Sequence, residues 1–342
     1  MEQEVVTVGL DLAKNVFQVH AIAADGAVLI RRKLRRTEVI RFFAELSPCL
    51  VGMEACASEH QWARELIAIG HEVRLMPPAY VKPYVKRGKT DAADAEAICE
   101  AVTLPTMRFV AVKSVEQQAV LMLHKSRDLM VRQRTMLINA IRGHCAEFGL
   151  VTAQGVRGSR DLIERIGQAD SIALPDMAKA AMMLLFEQLQ ALVRQIQTLE
   201  QRLLAWHRQE QASQRLATIP GVGVITATAL AASVTDPAAF RSGREFSASL
   251  GLVPRQNSSG GKDKLGRISK MGDRYLRKLL VVGATSVVRR ARNADTAAAN
   301  WVRSLLDRKP ARLVTVAMAN KTARIVWAVL TRGETYRSPA AV

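Results

Sequence analysis

The stretch VVTVGLDLAKNVFQVHAIAADGAVLIRRKL, residues 5–34, reads as three consecutive antiparallel strands. Apolar residues dominate Val5 to Asp11 and Val16 to Ile22, and the turn dipeptide Asp25-Gly26 passes the chain on to Ala27 to Leu34. Beyond it the hydrophobic period lengthens. An amphipathic stretch at 37–47 leads into the short apolar run Cys49 to Met53, and another at about 58–69 leads into Glu72 to Met76, which Pro77-Pro78 closes. A further helix is expected to begin near Thr90.

Three antiparallel strands followed by alternating helix and strand is the order of a ribonuclease H-like α/β fold, assigned here to residues 1–112. At 342 residues and 49% hydrophobic content, the chain has material for more than one core. Ser114-Val115-Glu116-Gln117 has capping-box spacing and opens a helix expected to run to about Phe148, carrying Lys125, Arg127, Arg132 and Arg134. After a glycine break at Gly155 and Gly158, a second long helix starts near Pro175-Asp176. Its Leu185, Leu189, Leu192, Ile196, Leu199, Leu203 and Trp206 alternate steps of four and three, the seam of a coiled coil made either with the preceding helix or between protomers. Residues 113–210 are therefore expected to form long helices, and 211–342 a mostly helical C-terminal domain.

The formal charge of +18 calls for a polyanionic partner, and its location is informative: residues 241–342 hold 21 Lys and Arg against 6 Asp and Glu. The acidic N-terminus is unlike a signal peptide, and no apolar run is seen to approach the roughly 20 residues of a membrane span, so nucleic acid is preferred to a membrane and a cytoplasmic setting is expected. Cys49, Cys56, Cys99 and Cys145 form no C-x-x-C pair, which argues against zinc and disulfides. The six histidines lack metal-ligand spacing, and there is no Walker-type loop for ATP.

Asp11 ends one apolar strand and Glu54 stands just past another, each near a glycine that leaves room for a cleft. Asp91 and Asp94 are three apart and share a helix face. Singly, each acid has an ordinary explanation as a cap, a surface charge or a strand-end charge. As a set on strand, strand and helix they converge, and four like charges call for hard divalent cations, with two Mg²⁺ ions suited to phosphoryl transfer.

Ile219-Pro220-Gly221-Val222-Gly223 between two helical stretches has the form of a helix-hairpin-helix, in which Gly221 and Gly223 would offer backbone N–H groups to a phosphate; a plain helical turn uses the same residues. Gly251-Leu252-Val253-Pro254-Arg255 introduces what reads as a long loop, Pro254 to Gly272, rich in Gly, Ser and Lys. Arg255, Lys262, Lys264, Arg267, Lys270 and Arg274 are its candidate phosphate contacts, and a serine among them is a candidate nucleophile. A linker that only binds phosphate has the same composition.

Gly9-Leu10-Asp11-Leu12-Ala13-Lys14, Met53-Glu54-Ala55, Lys89-Thr90-Asp91-Ala92-Ala93-Asp94-Ala95, Ile219-Pro220-Gly221-Val222-Gly223 and Gly251-Leu252-Val253-Pro254-Arg255 occur in an order that resembles the DEDD transposases of insertion-sequence family 110. Asn15-Val16-Phe17-Gln18-Val19-His20 is closer to the sister group 1111. The resemblance implies an N-terminal RuvC-like domain, a coiled-coil segment and a C-terminal transposase domain. It also implies a recombinase guided by a structured bridge RNA. In such an enzyme the acid quartet of one protomer binds Mg²⁺, while a serine of another protomer attacks DNA to form a covalent phosphoserine link, and strand exchange passes through a Holliday-junction-like intermediate. By position that serine is Ser259, with Ser258 as its neighbour one register away. A homo-oligomer follows, a dimer that becomes a tetramer when two DNA duplexes are held together. Two other readings fit the residues: a resolvase-type metal-dependent nuclease without covalent chemistry, and a non-catalytic nucleic-acid-binding protein.

Overall fold

A computed structural model describes residues 3–56, 58–86, 88, 90–151, 158, 174–262 and 264–338. Its contacts divide the chain into two units, Met1–Val115 and Glu116–Val342.

The first unit is built on five strands, β1 (Thr7–Asp11), β2 (Val16–Ile22), β3 (Val28–Arg35), β4 (Leu50–Glu54) and β5 (Glu72–Met76), in the order β3-β2-β1-β4-β5. β1, β2 and β3 are antiparallel neighbours, whereas β4 runs parallel to β1 and β5 parallel to β4. This central mixed sheet is consistent with the ribonuclease H-like expectation. Side chains alternate between its faces. Val8, Leu10, Phe17, Val19, Val51 and Met53 point to one side, where they pack with Phe43 of α1 (Val39–Ala44) and with Trp62, Ala63 and Leu66 of α2 (Glu59–Ala68). A short helix, α3 (Pro78–Val81), follows β5.

The other face is covered by α4 (Asp91–Val102), and two glycines let it lie close. A Cβ on Gly52 would stand 2.8 Å from the Val102 Cβ, and one on Gly9 2.8 Å from the Cys99 Cβ. The helix stretch expected at 37–47 is shorter than the periodicity suggests, because Arg36–Glu38 forms a 3₁₀ turn before α1.

The second unit opens with two long helices, α5 (Val115–Ala146) and α6 (Asp176–Gln209). They run antiparallel. The Trp206 indole donates to Glu116 Oε1 at 2.7 Å, Arg127 pairs with Glu200 at 2.6 Å, and the Cys145 thiol lies 3.6 Å from Met182 Sδ. Leu189 and Phe186 of α6 pack with Ile138 and Ile141 of α5, and Leu203 packs with Val120, so much of the leucine seam is buried within the chain. Arg127 Nε and Nη2 both donate to Glu200 Oε1, across the two helices. The expected break at Gly155 lies outside the described residues, whereas Gly158 is helical.

Beyond α6 come α7 (Gln211–Ala217), α8 (Val224–Ser233), α9 (Gly243–Ser249), the strands β6 (Pro254–Gln256) and β7 (Leu265–Ile268), and α10 (Arg274–Arg290), α11 (Ala297–Leu306) and α12 (Ala311–Arg332). Their shared core includes Leu216, Leu230, Phe246, Leu280, Met318 and Val326. α12 departs from the sequence reading: its 22 residues have the length and hydropathy of a membrane span. Val314, Met318, Ala319, Ala323 and Val326 are nonetheless buried in that core, and Arg312, Lys321 and Arg324 lie along the same helix, as in a core helix of a bundle.

The stretch Pro254 to Gly272 is the second departure. β6 and β7 pair as an antiparallel hairpin, not a long loop. At its tip Gly260 (φ 57°) and Gly261 (φ 75°) both take positive φ, and the Lys262 N–H donates to the Ser259 carbonyl at 3.1 Å. Two adjacent glycines supply the left-handed backbone of a tight hairpin turn, a signal that the loop-like composition of the segment obscures.

Candidate active site and nucleic-acid interface

Asp11 and Glu54 lie side by side at the C-terminal ends of neighbouring parallel strands. Gly9 of β1 is level with Gly52 of β4, and each acid follows its glycine by two residues, on the same face. That is the face α4 covers. α4 runs antiparallel to β1, since Cys99 lies over Gly9 and its thiol points to the Thr7 carbonyl at 3.8 Å, so its first turn reaches the end of β1 where Asp11 stands.

Asp91 and Asp94 occupy that first turn. Thr90 is the N-cap, its Oγ1 accepting from the Ala93 N–H at 3.2 Å, which leaves both aspartates other work than capping. Asp91 is exposed, and Asp11, Glu54 and Asp94 are half-buried.

The electrostatics join the four. Burial, and then the negative charges of Asp94, Asp91 and Glu54 in that order, push the Asp11 carboxyl up to about 6, against a weaker opposing hydrogen bond from the Leu12 N–H. The acids stand at the same end of the sheet and α4 without closing on a point: among the described residues, no three His, Cys, Asp or Glu side chains are set as they stand to hold a metal ion. Mutual repulsion keeps unneutralised carboxylates apart. An all-oxygen donor set with an acid held near neutrality suits a hard divalent cation, which would lower that repulsion by being bound.

One neighbour of the quartet was passed over by the sequence reading. Gln18 of β2 lies directly opposite Asp11 in the β1–β2 register, hence on the same face. The alternation Phe17, Val19, Ala21 toward the core carries the signal, because it sends a polar Gln18 to the α4 side.

In the second unit, the hairpin tip and its cations are solvent-exposed: Arg255, Ser258, Ser259, Lys262, Lys264, Arg267, Lys270 and Arg274 are all at the surface. The Ser258 hydroxyl accepts from the Lys264 N–H at 3.2 Å and so takes part in the hairpin backbone. Ser259 Oγ makes no hydrogen bond among the described residues. The base of the hairpin is held firmly. Arg277 donates to the Leu250 and Met271 carbonyls at 2.9 and 2.8 Å, and Lys270, with φ 56°, donates from its backbone to the Gly251 carbonyl at 3.1 Å.

The turn from Ile219 to Gly223 joins α7 to α8, and its two glycines have different surroundings. Gly221 (φ 85°) lies against α10, where a Cβ would stand 3.0 Å from the Gly283 carbonyl oxygen. Gly223 is exposed, caps the N-terminus of α8 and has nothing within 4 Å of an added Cβ. A cleft of ≈ 630 Å³ opens beside them, lined among others by Thr218, Gly223, Ser286, Arg290 and Tyr336.

The histidines lack metal-ligand spacing in sequence, and several are buried in the structure. His124 is 1% exposed and joins three helices, with Nε2 3.0 Å from Thr228 Oγ1 and Nδ1 3.1 Å from the Tyr275 hydroxyl. His20, His60 and His71 are buried as well.

Two family models match the chain. The family model for DEDD transposases of IS110 matches residues 8–148, and the model described as Transposase IS116/IS110/IS902 family matches residues 213–299. The chain is 50% identical over 331 residues to a probable family 20 transposase of Pseudomonas aeruginosa, covering 96% of this chain and 98% of that protein. It is 40% identical to the transposase for insertion sequence element IS1111A of Coxiella burnetii, covering 99% of this chain and 93% of that one. It is 39% identical to the transposase for insertion sequence element IS1328 of Yersinia enterocolitica, covering 97% and 98%. With matches of this extent at both ends of the chain, it belongs to the IS110/IS116/IS902 family of transposases.

Proposed function

We propose that this transposase cuts and rejoins DNA at a composite centre made of a cation-binding acid quartet and a serine nucleophile. The observation that carries the reading is the placement of Asp11 and Glu54 at neighbouring strand ends on the face covered by α4, whose first turn holds Asp91 and Asp94. Asp11, Glu54, Asp91 and Asp94 would hold the metal, taken as two Mg²⁺ ions, which when bound polarise phosphate oxygens and stabilise a leaving oxygen.

Ser259 supplies the attacking oxygen. Its Oγ forms a bond to the DNA phosphorus as the bond to the departing strand's oxygen breaks; the serine proton is lost and the leaving oxygen gains one. Reversal by a different strand end rejoins the DNA and restores the serine. Ser259 is preferred to Ser258 because the latter's hydroxyl serves the hairpin backbone. Arg255, Lys262, Lys264, Arg267, Lys270 and Arg274 surround this tip with charge suited to phosphate, and Gly223, with Gly221 shaping the turn, offers N–H groups to a second backbone contact. A structured guide RNA would share the basic C-terminal third with donor and target DNA. α5 and α6 would act as a coiled-coil spacer, and a dimer that assembles to a tetramer would bring the quartet of one protomer to the serine of another.

Denaturing electrophoresis with labelled DNA, element RNA and Mg²⁺ tests this. The expected result is a covalent protein–DNA adduct, lost in Ser259→Ala and kept in Ser258→Ala. Nicking without an adduct would establish a resolvase-type nuclease instead, and binding without cleavage a non-catalytic role.

A further inference from the structure

Gln18 is the residue around the quartet whose condition is hardest to explain as structure alone. It is 7% exposed, and its Oε1 is enclosed with no hydrogen-bond partner among the described residues. An enclosed carbonyl oxygen without a donor is costly, and native structures rarely keep one without a use. Its place is specific. Across the sheet at this level stand Lys33 of β3, Gln18 of β2 and Asp11 of β1, each opposite the next, with Glu54 of β4 beyond. Gln18 is thus the inner neighbour of Asp11, on the face that α4 covers with Asp91 and Asp94.

An amide serves here better than a fifth acid would. Three further carboxylates, Glu54, Asp91 and Asp94, already stand with Asp11 on this face, whereas a neutral oxygen adds an acceptor without further repulsion. A small hard cation keeps several of its waters, and those waters are hydrogen-bond donors that need acceptors. We propose that Gln18 is a positioning residue of the cation site, its Oε1 accepting a hydrogen bond from a cation-bound water beside Asp11. The proposal rests on the reading of the quartet as a cation site.

The test uses the full chain without DNA, titrated calorimetrically with Mn²⁺ and melted with and without Mg²⁺. Gln18→Leu is expected to weaken Mn²⁺ binding by about 10- to 100-fold, the usual effect of losing an outer acceptor. It should also shrink the Mg²⁺-dependent rise in Tm while leaving the metal-free Tm equal or higher. Gln18→Glu keeps an oxygen in place but adds a fifth charge, so it should bind Mn²⁺ better than Gln18→Leu and no better than the parent. Should the leucine variant fold poorly, Gln18→Met makes the same comparison. Unchanged Mn²⁺ affinity in a folded leucine or methionine variant overturns the proposal alone. Asp11→Asn separates the two readings: if it binds Mn²⁺ as the parent does, or if the parent binds none, the quartet reading fails and this one with it.

Discussion

A Cβ placed on Gly9 would stand 2.1 Å from the carbonyl oxygen of Ala95, with the Cys99 backbone nitrogen only 2.5 Å away. The sheet strand that ends in Asp11 and the helix that begins with Asp91 and Asp94 are therefore seated against each other through a missing side chain. Gly9→Ala should force α4 off the sheet. Overpacking of this kind costs about 1–3 kcal/mol, and here it meets main-chain atoms that have no side-chain freedom to yield. The expected outcome is a lower Tm for the N-terminal unit together with weaker Mn²⁺ binding, read by calorimetry, because the displaced helix carries two of the four acids.

Asp11 gives that site a pH signature. Its folded-state carboxyl lies at about 6, above the ordinary aspartate value of 3.8, so the folded protein holds the proton more tightly than the unfolded chain does. In metal-free protein its ionisation is a destabilising contribution, present above pH 6 and relieved as pH falls from 6 toward 3.8. Cation binding, which needs the ionised acid, should weaken as pH drops below 6. Asp11→Asn should raise the metal-free Tm at pH 7 and abolish the stabilisation by Mg²⁺. A parent Tm indifferent to Mg²⁺ at pH 7 would contradict this.

These two effects mark where the sequence could be read and where it could not. The strands and α4 follow from hydrophobic period and from Thr90, and the acids from their places at two strand ends and on one helix face. Gln18 was missed because a lone glutamine in a strand carries no motif; only its register against Asp11 gives it meaning. The hairpin at 254–268 looks like a loop in sequence because its residues are polar on both faces, so no burial pattern betrays the pairing that Gly260 and Gly261 permit. Gly221 was read for phosphate, but its φ of 85° and its contact with Gly283 give it a packing reason as well, one that depends on a helix sixty residues away.

His124 predicts the opposite pH response for the C-terminal unit. Burial, then the Arg127 charge, lowers its folded-state pKa to about 4 from 6.5. It stays neutral in the fold, bonded to Thr228 and Tyr275, while the unfolded chain takes up a proton. Stability is lost as pH falls from 6.5 through 4, by an amount on the order of 3 kcal/mol at roughly 1.4 kcal/mol per pKa unit. Removing the titration with His124→Gln should flatten this loss while costing stability at pH 7. Two melting transitions moving in opposite directions between pH 7 and pH 5 would display both groups at once, and circular dichroism at several pH values suffices to see them.

The seam between α5 and α6 should matter to folding before chemistry. Leu203 is fully buried against Val120 and Ala232, so Leu203→Ala is expected to cost about 2–5 kcal/mol. Arg127→Ala removes a partly exposed ion pair with Glu200 and should cost about 1 kcal/mol or less. Urea titrations of the two variants would reveal the contrast, and a reversed order would mean that the helices are held by charge instead of packing.

Two glycines flanking the serine hairpin should fail in different ways. Gly272 (φ 70°) sits at its base, where a Cβ would stand 1.7 Å from the Ser249 carbonyl oxygen, so Gly272→Ala should destabilise the whole C-terminal unit. Gly261 (φ 75°) sits at the tip with nothing within 4 Å of an added Cβ, so its only demand is backbone. A β-branched residue there pays about 1–3 kcal/mol of strain in a segment that contributes little to global stability. Gly261→Val should therefore leave the Tm and Mn²⁺ affinity nearly unchanged while reducing adduct formation at Ser259 several-fold, because the turn that presents the hydroxyl is redrawn. Gly261→Asn, which tolerates positive φ, should restore the adduct. Equal adduct yields from the valine and asparagine variants would mean that the turn does not position the serine.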